Sequence, residues 1–306
     1  MEKKKKKVAK HVVGPIIRLI CEWQLKTIKE SYLSRAPEIN GIIFSNEGAK
    51  GRTPLFDASN SKTGNIFAYW KDEKSGILEI SAPEPGYEIR APKSMKEFFY
   101  GTVFFDDGVA GKFITYLDVS HLDVSNTTDF EGCFWGFGQH GESKIKGLEA
   151  WDVSQGTKFF GMFERAFSSN EIVSLDLSSW CFQMTKEINM GSMFRDFAGW
   201  SKDVMLNLKD WQVFTVGNFE SMFDGFASEA KRVKISGVEE WPVGHGYNFN
   251  RMFRDFAPHS NCQLNLSNWN KTGKLVGSHE EFSNGTFFKI REPDWTFKEA
   301  GRRRNK

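Results

Sequence analysis

Two rhythms of apolar residues alternate along the chain from Leu117 to Gly285. The first has period two. Leu117-Asp118-Val119, Leu175-Asp176-Leu177, Leu206-Asn207-Leu208, Val233-Lys234-Ile235 and Leu264-Asn265-Leu266 each set a polar residue between apolar ones, the pattern of a strand with one buried face. The second rhythm has the spacing i, i+3, i+4, i+7. It runs through Phe130, Cys133, Phe134, Phe137, then Phe159, Met162, Phe163, Ala166, then Met190, Met193, Phe194, Phe197, then Phe219, Met222, Phe223, Phe226, and finally Phe249, Met252, Phe253, Phe256. That spacing predicts one short amphipathic helix per copy. A helix of two turns is not stable alone in water, so it must pack on its neighbours.

The two rhythms form one cassette. Its Trp falls at Trp151, Trp180, Trp211, Trp241 and Trp269, with Leu122 at the same place in the first copy, and its Phe at Phe134, Phe163, Phe194, Phe223, Phe253 and Phe282. Successive Phe are 29, 31, 29, 30 and 29 residues apart, and a fixed period of this size predicts a solenoid. The expected fold is α/β, a right-handed solenoid of parallel strands and short helices about 25–30 Å long, with the Trp stacked in one interior column. An aromatic content of 15% is then a core property and calls for no ligand. A degenerate copy at Met95, Phe98 and Phe99 opens the array. Around Phe282 stand Ser278, Glu281 and Gly285, which predicts a polar, eroded end.

Strings such as LDLSSW…INMGSMFRDFA (Leu175 to Ala198) and LDVSHLDVSNTTDFEGCFWGF (Leu117 to Phe137) resemble the BspA-like leucine-rich repeats of bacterial surface proteins. The likeness covers about residues 95–288. It implies a leucine-rich-repeat-like fold and a role in adhesion or protein–protein contact. Two departures are copies longer than the common form and the lack of the usual secretory leader.

Four regions follow. Residues 1–36 are a basic tail and an amphipathic helix starting at Pro15, with Ile16, Ile17, Ile20 and Trp23 on one side. Residues 37–94 are a β-rich N-terminal cap with strands at Gly41 to Ser45, Asn65 to Trp70 and Gly76 to Ser81, the last two a hairpin, and a loop from Gly48 to Thr63. Residues 95–288 are the repeat solenoid, and residues 289–306 a basic C-terminal tail. Net charge is +2, yet six Lys lie in residues 1–10 and three Arg and a Lys in residues 302–306. Between those ends 31 basic residues face 38 acidic ones, an acidic body with basic termini.

No catalytic constellation stands out. Cys21, Cys133, Cys181 and Cys262 are isolated, the histidines show no metal-ligand spacing, and no phosphate-binding or nucleophile motif occurs. His245, flanked by glycines, reads as part of a turn. No enzyme activity, cofactor, metal or small-molecule substrate is expected. The apolar stretch from Val12 to Cys21 is too short to span a bilayer and is followed by no cleavage site. The protein is expected to be cytoplasmic or exported without a leader. Its expected function is a non-enzymatic scaffold binding another macromolecule, a protein, through an outward ladder of Asp118, Asp176, Asn207, Lys234 and Asn265 spaced one strand apart. The alternative is an effector- or toxin-associated protein whose ends, Lys3, Lys4, Lys5, Lys6, Lys7, Arg302, Arg303 and Arg304, contact membrane or nucleic acid.

Overall fold

In the computed structural model the period-two segments form strands in parallel pairings, and those at Leu175, Leu206 and Val233 pair with one another in succession. The structure describes residues 7–16, 18–20, 38–60, 62, 64–100, 114–139, 141–272, 275–286 and 289–295. The chain begins with β1 (Lys7–Val12), β2 (Gly41–Phe44), β3 (Phe56–Asp57), β4 (Phe67–Asp72), β5 (Ile77–Ser81) and β6 (Tyr87–Arg90). The repeats then contribute β7 (Tyr116–Asp118), β8 (Leu122–Asp123), β9 (Lys144–Lys146), β10 (Ile172–Asp176), β11 (Ile188–Asn189), β12 (Asp203–Asn207), β13 (Val216–Asn218), β14 (Arg232–Ser236), β15 (Leu264–Asn265) and β16 (Ile290–Arg291). The architecture is β-rich and repetitive, made of several small sheets, with no closed barrel among the described residues.

β4 and β5 form the expected hairpin. They belong to a six-stranded sheet in the order β3-β4-β5-β2-β7-β9, so the N-terminal region runs directly into the first repeat strands. Ile42 faces Leu117 and Leu117 faces Ile145 in parallel register. In the N-terminal region three strands escape the sequence pattern. β3 is two residues inside the Gly- and Ser-rich loop, β6 is a short run between prolines, and β1 lies where the lysine run suggests a tail. β1 forms because β6 offers it a parallel edge, and the pairing continues through the Val13 amide to the Arg90 carbonyl at 2.9 Å. Residues 16 and 18–20 are helical, with Ile16 and Ile20 buried. Ile17 and Trp23 lie outside the described residues.

The Met/Phe segments are not helices. Their backbone alternates two kinds of hydrogen bond. In one copy the amides of Met193, Arg195 and Phe197 donate to carbonyls three residues back, at 3.1–3.3 Å, whereas those of Ser192, Phe194 and Asp196 donate to Glu220, Met222 and Asp224 of the next copy at 2.7–2.9 Å. An α-helix would return every amide to its own chain. Here every second amide is claimed by a neighbour, leaving a run of turns. The price in backbone conformation is a left-handed residue at every fourth position: Gly132 and Gly136, Gly161 and Arg165, Ser192 and Asp196, Ser221 and Gly225, Arg251 and Asp255, Glu281 and Gly285.

A turn run with a period of four keeps the quartet on one side, so the core is the one that helices would have built. Phe99, Phe134, Phe163, Phe194, Phe223 and Phe253 stack in succession with centroids 5.1–5.6 Å apart. Phe282 ends the column edge-on to Phe253 at 5.4 Å and is also packed against Trp295. At this eroded end Phe282 itself is only 3% exposed, whereas Glu281 and Gly285 are exposed. Beside this column Trp180, Trp211 and Trp241 stack at 6.2 and 5.8 Å. The Trp side chains also tie copies together through their indole N–H groups. Trp180, Trp211 and Trp269 donate to the carbonyls of Leu148, Leu177 and Val238 at 2.9, 2.7 and 2.8 Å, while the buried Nε1 of Trp241 has no partner. In one copy Ala166 and Phe167 exchange the order found in Phe197-Ala198, Phe226-Ala227 and Phe256-Ala257. Phe167 fills the ring position, against Phe137 and Phe197 at 5.7 Å.

Candidate functional site

The face formed by β10, β12 and β14 carries the residues that the period-two pattern turns away from the core. Five residues of each strand pair in register, giving three outward rows: Ile172, Asp203, Arg232; Ser174, Met205, Lys234; and Asp176, Asn207, Ser236. A groove of about 230 Å³ crosses it, lined by Ser174, Asp176, Met205, Asn207, Lys209 and Lys234. Ile172 and Met205 are 59% and 46% exposed among these polar groups. Parallel sheets are seldom left bare on one face.

This register corrects the expected ladder. Asp176 and Asn207 are partners, but Lys234 faces Met205, two residues displaced, and Ser236 faces Asn207. The displacement follows from Gly237, which comes after Ser236 where Leu177 and Leu208 come after Asp176 and Asn207, so the apolar-polar-apolar triplet of this copy falls two residues earlier; Gly237 also opens a short 3-10 turn, Val238–Glu240. Its φ of 99° and the carbonyl of Leu208, 2.4 Å from where a Cβ would sit, admit only glycine. Asp118 is not on an open surface. It is 8% exposed in β7 between β2 and β9, where its carboxylate accepts from Lys146 Nζ at 2.9 Å and the Ser120 amide at 3.1 Å. Burial pushes its carboxyl up, but the bonds from Ser120 and Lys146 outweigh this and hold it below its usual range. Asn265 lies in β15, which pairs with β16 rather than with β14. The backbone of Lys7 pairs in β1, and Lys3, Lys4, Lys5, Lys6, Arg302, Arg303 and Arg304 lie outside the described residues.

The Asp and Asn of the ladder also have work within the chain. The Oδ1 atoms of Asp176, Asn207 and Asn265 accept the amides of Ser178, Lys209 and Ser267 at 3.0, 3.3 and 3.2 Å, closing the turn after each strand. Asn207 Nδ2 donates to Asp176 Oδ1 at 3.1 Å. The Ser178 hydroxyl and amide, with Asn207, hold the Asp176 carboxyl below its usual range.

A second polar row had a signal in the sequence that was missed. Asp129, Lys158, Asn189, Asn218 and Asn248 each precede a Met/Phe quartet, and they bridge in succession, with Ser278 of the eroded copy continuing the row. Asn189, Asn218 and Asn248 accept the amides of Gly191, Glu220 and Asn250 at 3.0–3.1 Å, and Asn218 Nδ2 donates to Asn189 Oδ1 at 3.1 Å. Beyond it the turn face carries Glu164, Arg195, Asp224 and Arg254, with Arg254 donating to both Asp224 oxygens at 2.7 and 3.0 Å. Burial raises the carboxyl of Glu164 against the pull of Arg195 and Arg165.

Among the described residues no group of three His, Cys, Asp or Glu side chains could hold a metal ion. Burial pushes the thiols of Cys133 and Cys262 up, away from the reactive thiolate. Among the described residues no helix is long and apolar enough to cross a membrane. No curated protein and no solved structure matches the chain. Residues 93–236 and 197–305 do match the model of a family described as Mycoplasma protein of unknown function, DUF285. The first match starts just ahead of Met95, where the repeat pattern opens, and the two overlapping matches together take in every copy of the cassette. The chain belongs to that DUF285 family.

Proposed function

We propose that the copies form one continuous solenoid of the leucine-rich-repeat, BspA-like type, and that the protein is a non-enzymatic scaffold. It binds a protein partner through the outer face of β10, β12 and β14. The observation that carries this reading is the contrast within each register row. Inward positions repeat as Val173, Val204, Val233 and Leu175, Leu206, Ile235, whereas the outward row between them reads Ser174, Met205, Lys234. A rigid surface with varied side chains and a half-exposed Met at its centre is suited to recognition, because side chains held in place lose little freedom on binding. The residues assigned to contact are Asp176, Met205, Asn207 and Lys234. Asp118 is left out because its carboxylate is buried and paired.

The test is a photo-crosslinking amino acid placed at Met205 in the full chain, expressed in its own cells, with a second placed at Phe160 on the turn face. The expected result is one adduct of defined mass from position 205, weakened by Lys234→Glu, and none from position 160. Equal adducts at the two positions, or none at either, would sink the reading.

A further inference from the structure

The loops that follow Trp180, Trp211 and Trp241 contain a second built surface, away from the outer strand face. Tyr247 is 55% exposed, yet its hydroxyl donates to Glu187 Oε1 at 2.9 Å across 60 residues of sequence. The ring reaches over the intervening copy at Gly217. A Cβ on Gly217 would lie 2.5 Å from the Tyr247 ring and 3.0 Å from Glu187 Oε1, so the bare backbone is what lets ring and carboxylate lie there. The same glycine accepts the Tyr247 amide at 2.9 Å. Gln183 ties down the facing loop. Its Oε1 accepts the Thr185 and Lys186 amides at 3.1 and 2.8 Å, and its carbonyl accepts Thr215 Oγ1 at 2.9 Å.

Together these loops enclose a groove of about 370 Å³ lined by Lys186, Glu187, Phe214, Thr215, His245 and Tyr247, within the range of small-molecule sites. Phe214 is 40% exposed and Met184, at the rim, 51%. Exposed aromatic rings normally keep their rotamer freedom, and a surface tyrosine contributes little to a fold. Holding this one rigid is useful to a ligand that stacks on it.

We infer that the groove is a carbohydrate subsite, in which a hexopyranose ring of an oligosaccharide lies on the face of Tyr247. The chemistry matches on both sides. A pyranose has an apolar face of axial C–H groups that suits an aromatic ring, and an edge of hydroxyls that need acceptors and donors. Glu187 lines the groove and receives the Tyr247 hydroxyl on Oε1, so its carboxylate has further acceptor capacity for a sugar hydroxyl. Lys186 and His245 line the same groove as complementary donors, and the Thr215 hydroxyl, whose hydrogen goes to Gln183, offers a further acceptor. An aliphatic peptide side chain would use the ring but leave this polar edge unanswered.

The full chain is titrated calorimetrically with cellohexaose, maltohexaose and chitohexaose, each alone. At least one should bind, and Tyr247→Ala should weaken that sugar by about tenfold or more with an unchanged unfolding transition. Tyr247→Phe keeps the ring but frees it from Glu187, and should fall between the two. Trp200→Ala removes another exposed ring, 69% exposed, and should bind like the parent. Failure of all three sugars to bind, or equal binding by Tyr247→Ala and the parent, overturns the inference. Neither outcome bears on crosslinking at Met205, so the two readings fail separately.

Discussion

The strand ladder and the turn face are built from the same copies at the same spacing, but they hold neighbouring copies in different ways. In β10, β12 and β14 pairing is continuous over five residues, and the period-two pattern alone dictates which side chains go in. On the turn face only alternate amides cross between copies, and the chain must visit left-handed φ at every fourth residue to do so. The strand is a conformation most residues adopt freely, whereas the turn run is one the stack enforces. The teaching point is that a stack can impose a backbone the local sequence does not favour, provided each copy satisfies the next.

The comparison predicts where the molecule is most easily broken. Phe194→Ala removes a ring stacked on both sides, by Phe163 and Phe223 at 5.6 Å, and should cost about 3–5 kcal/mol in urea unfolding. Phe282→Ala has a column neighbour on one side only and should cost less. Equal losses would mean that the column does not carry the stacking energy. The next effect is smaller. Trp211→Phe forfeits the 2.7 Å bond to Leu177, whereas Trp241→Phe forfeits none, so the first should cost about 1 kcal/mol more than the second.

A third substitution separates turns from helices by sign. Ser221 has φ of 53°. Ser221→Gly should stabilise the fold by roughly 0.5–1 kcal/mol, because glycine takes left-handed φ without a steric penalty, and Ser221→Val should destabilise it. In a helix, glycine would lower stability instead. The smallest effect is at Glu164. Its folded pKa lies above the ordinary 4.5, so the charged form is disfavoured in the native state and folding carries a penalty at neutral pH. That penalty disappears as pH falls through the folded value and below 4.5. Glu164→Gln should therefore be the more stable protein at pH 7 and lose its advantage by about pH 4. An advantage that grows on acidification would refute the burial assigned to this carboxyl.

The Phe column, the stack of Trp180, Trp211 and Trp241 within the expected Trp column, and the strand positions were legible because burial repeats at fixed distance whatever the backbone does. The nature of the Met/Phe segments was not, since i, i+3, i+4, i+7 spacing fits a helix and a run of four-residue turns alike. A discriminating signal was present: Gly132, Gly136, Gly161 and Gly225 stand inside the quartets, where a helix would be weakened. The row of Asn189, Asn218 and Asn248 was equally visible as a residue preceding each quartet, but polar side chains that bond only to neighbouring copies have no meaning until the copies are stacked. The triplet Val233-Lys234-Ile235 misplaced Lys234 because Gly237 stands where the neighbouring copies have Leu177 and Leu208, so the pattern falls two residues early. The groove at Tyr247 was hidden for another reason, since Glu187, Gly217 and Tyr247 come from three different copies. His245, read as a turn residue, lies on its wall.

Within each quartet the amides that cross between copies have one direction, although the residue just after it, such as Ala198 or Ala227, donates back. Those of Phe130, Gly132, Phe134 and Gly136 all donate to later residues, Lys158, Phe160, Met162 and Glu164, and the amides of Phe249, Arg251, Phe253 and Asp255 still do so near the far end. Each peptide carries a dipole of about 3.5 D, and the forward crossing dipoles of the quartets add, outnumbering those that point back. An α-helix puts its positive pole at the start of the chain because its amides point back. Here they point forward, so the polarity is reversed, with the negative pole beside the Met95 copy and the positive pole beside the Phe282 copy. Lys93 and Lys96 stand at the first, and Glu280 and Glu281 at the second. Their charges have the signs that such an axial field attracts.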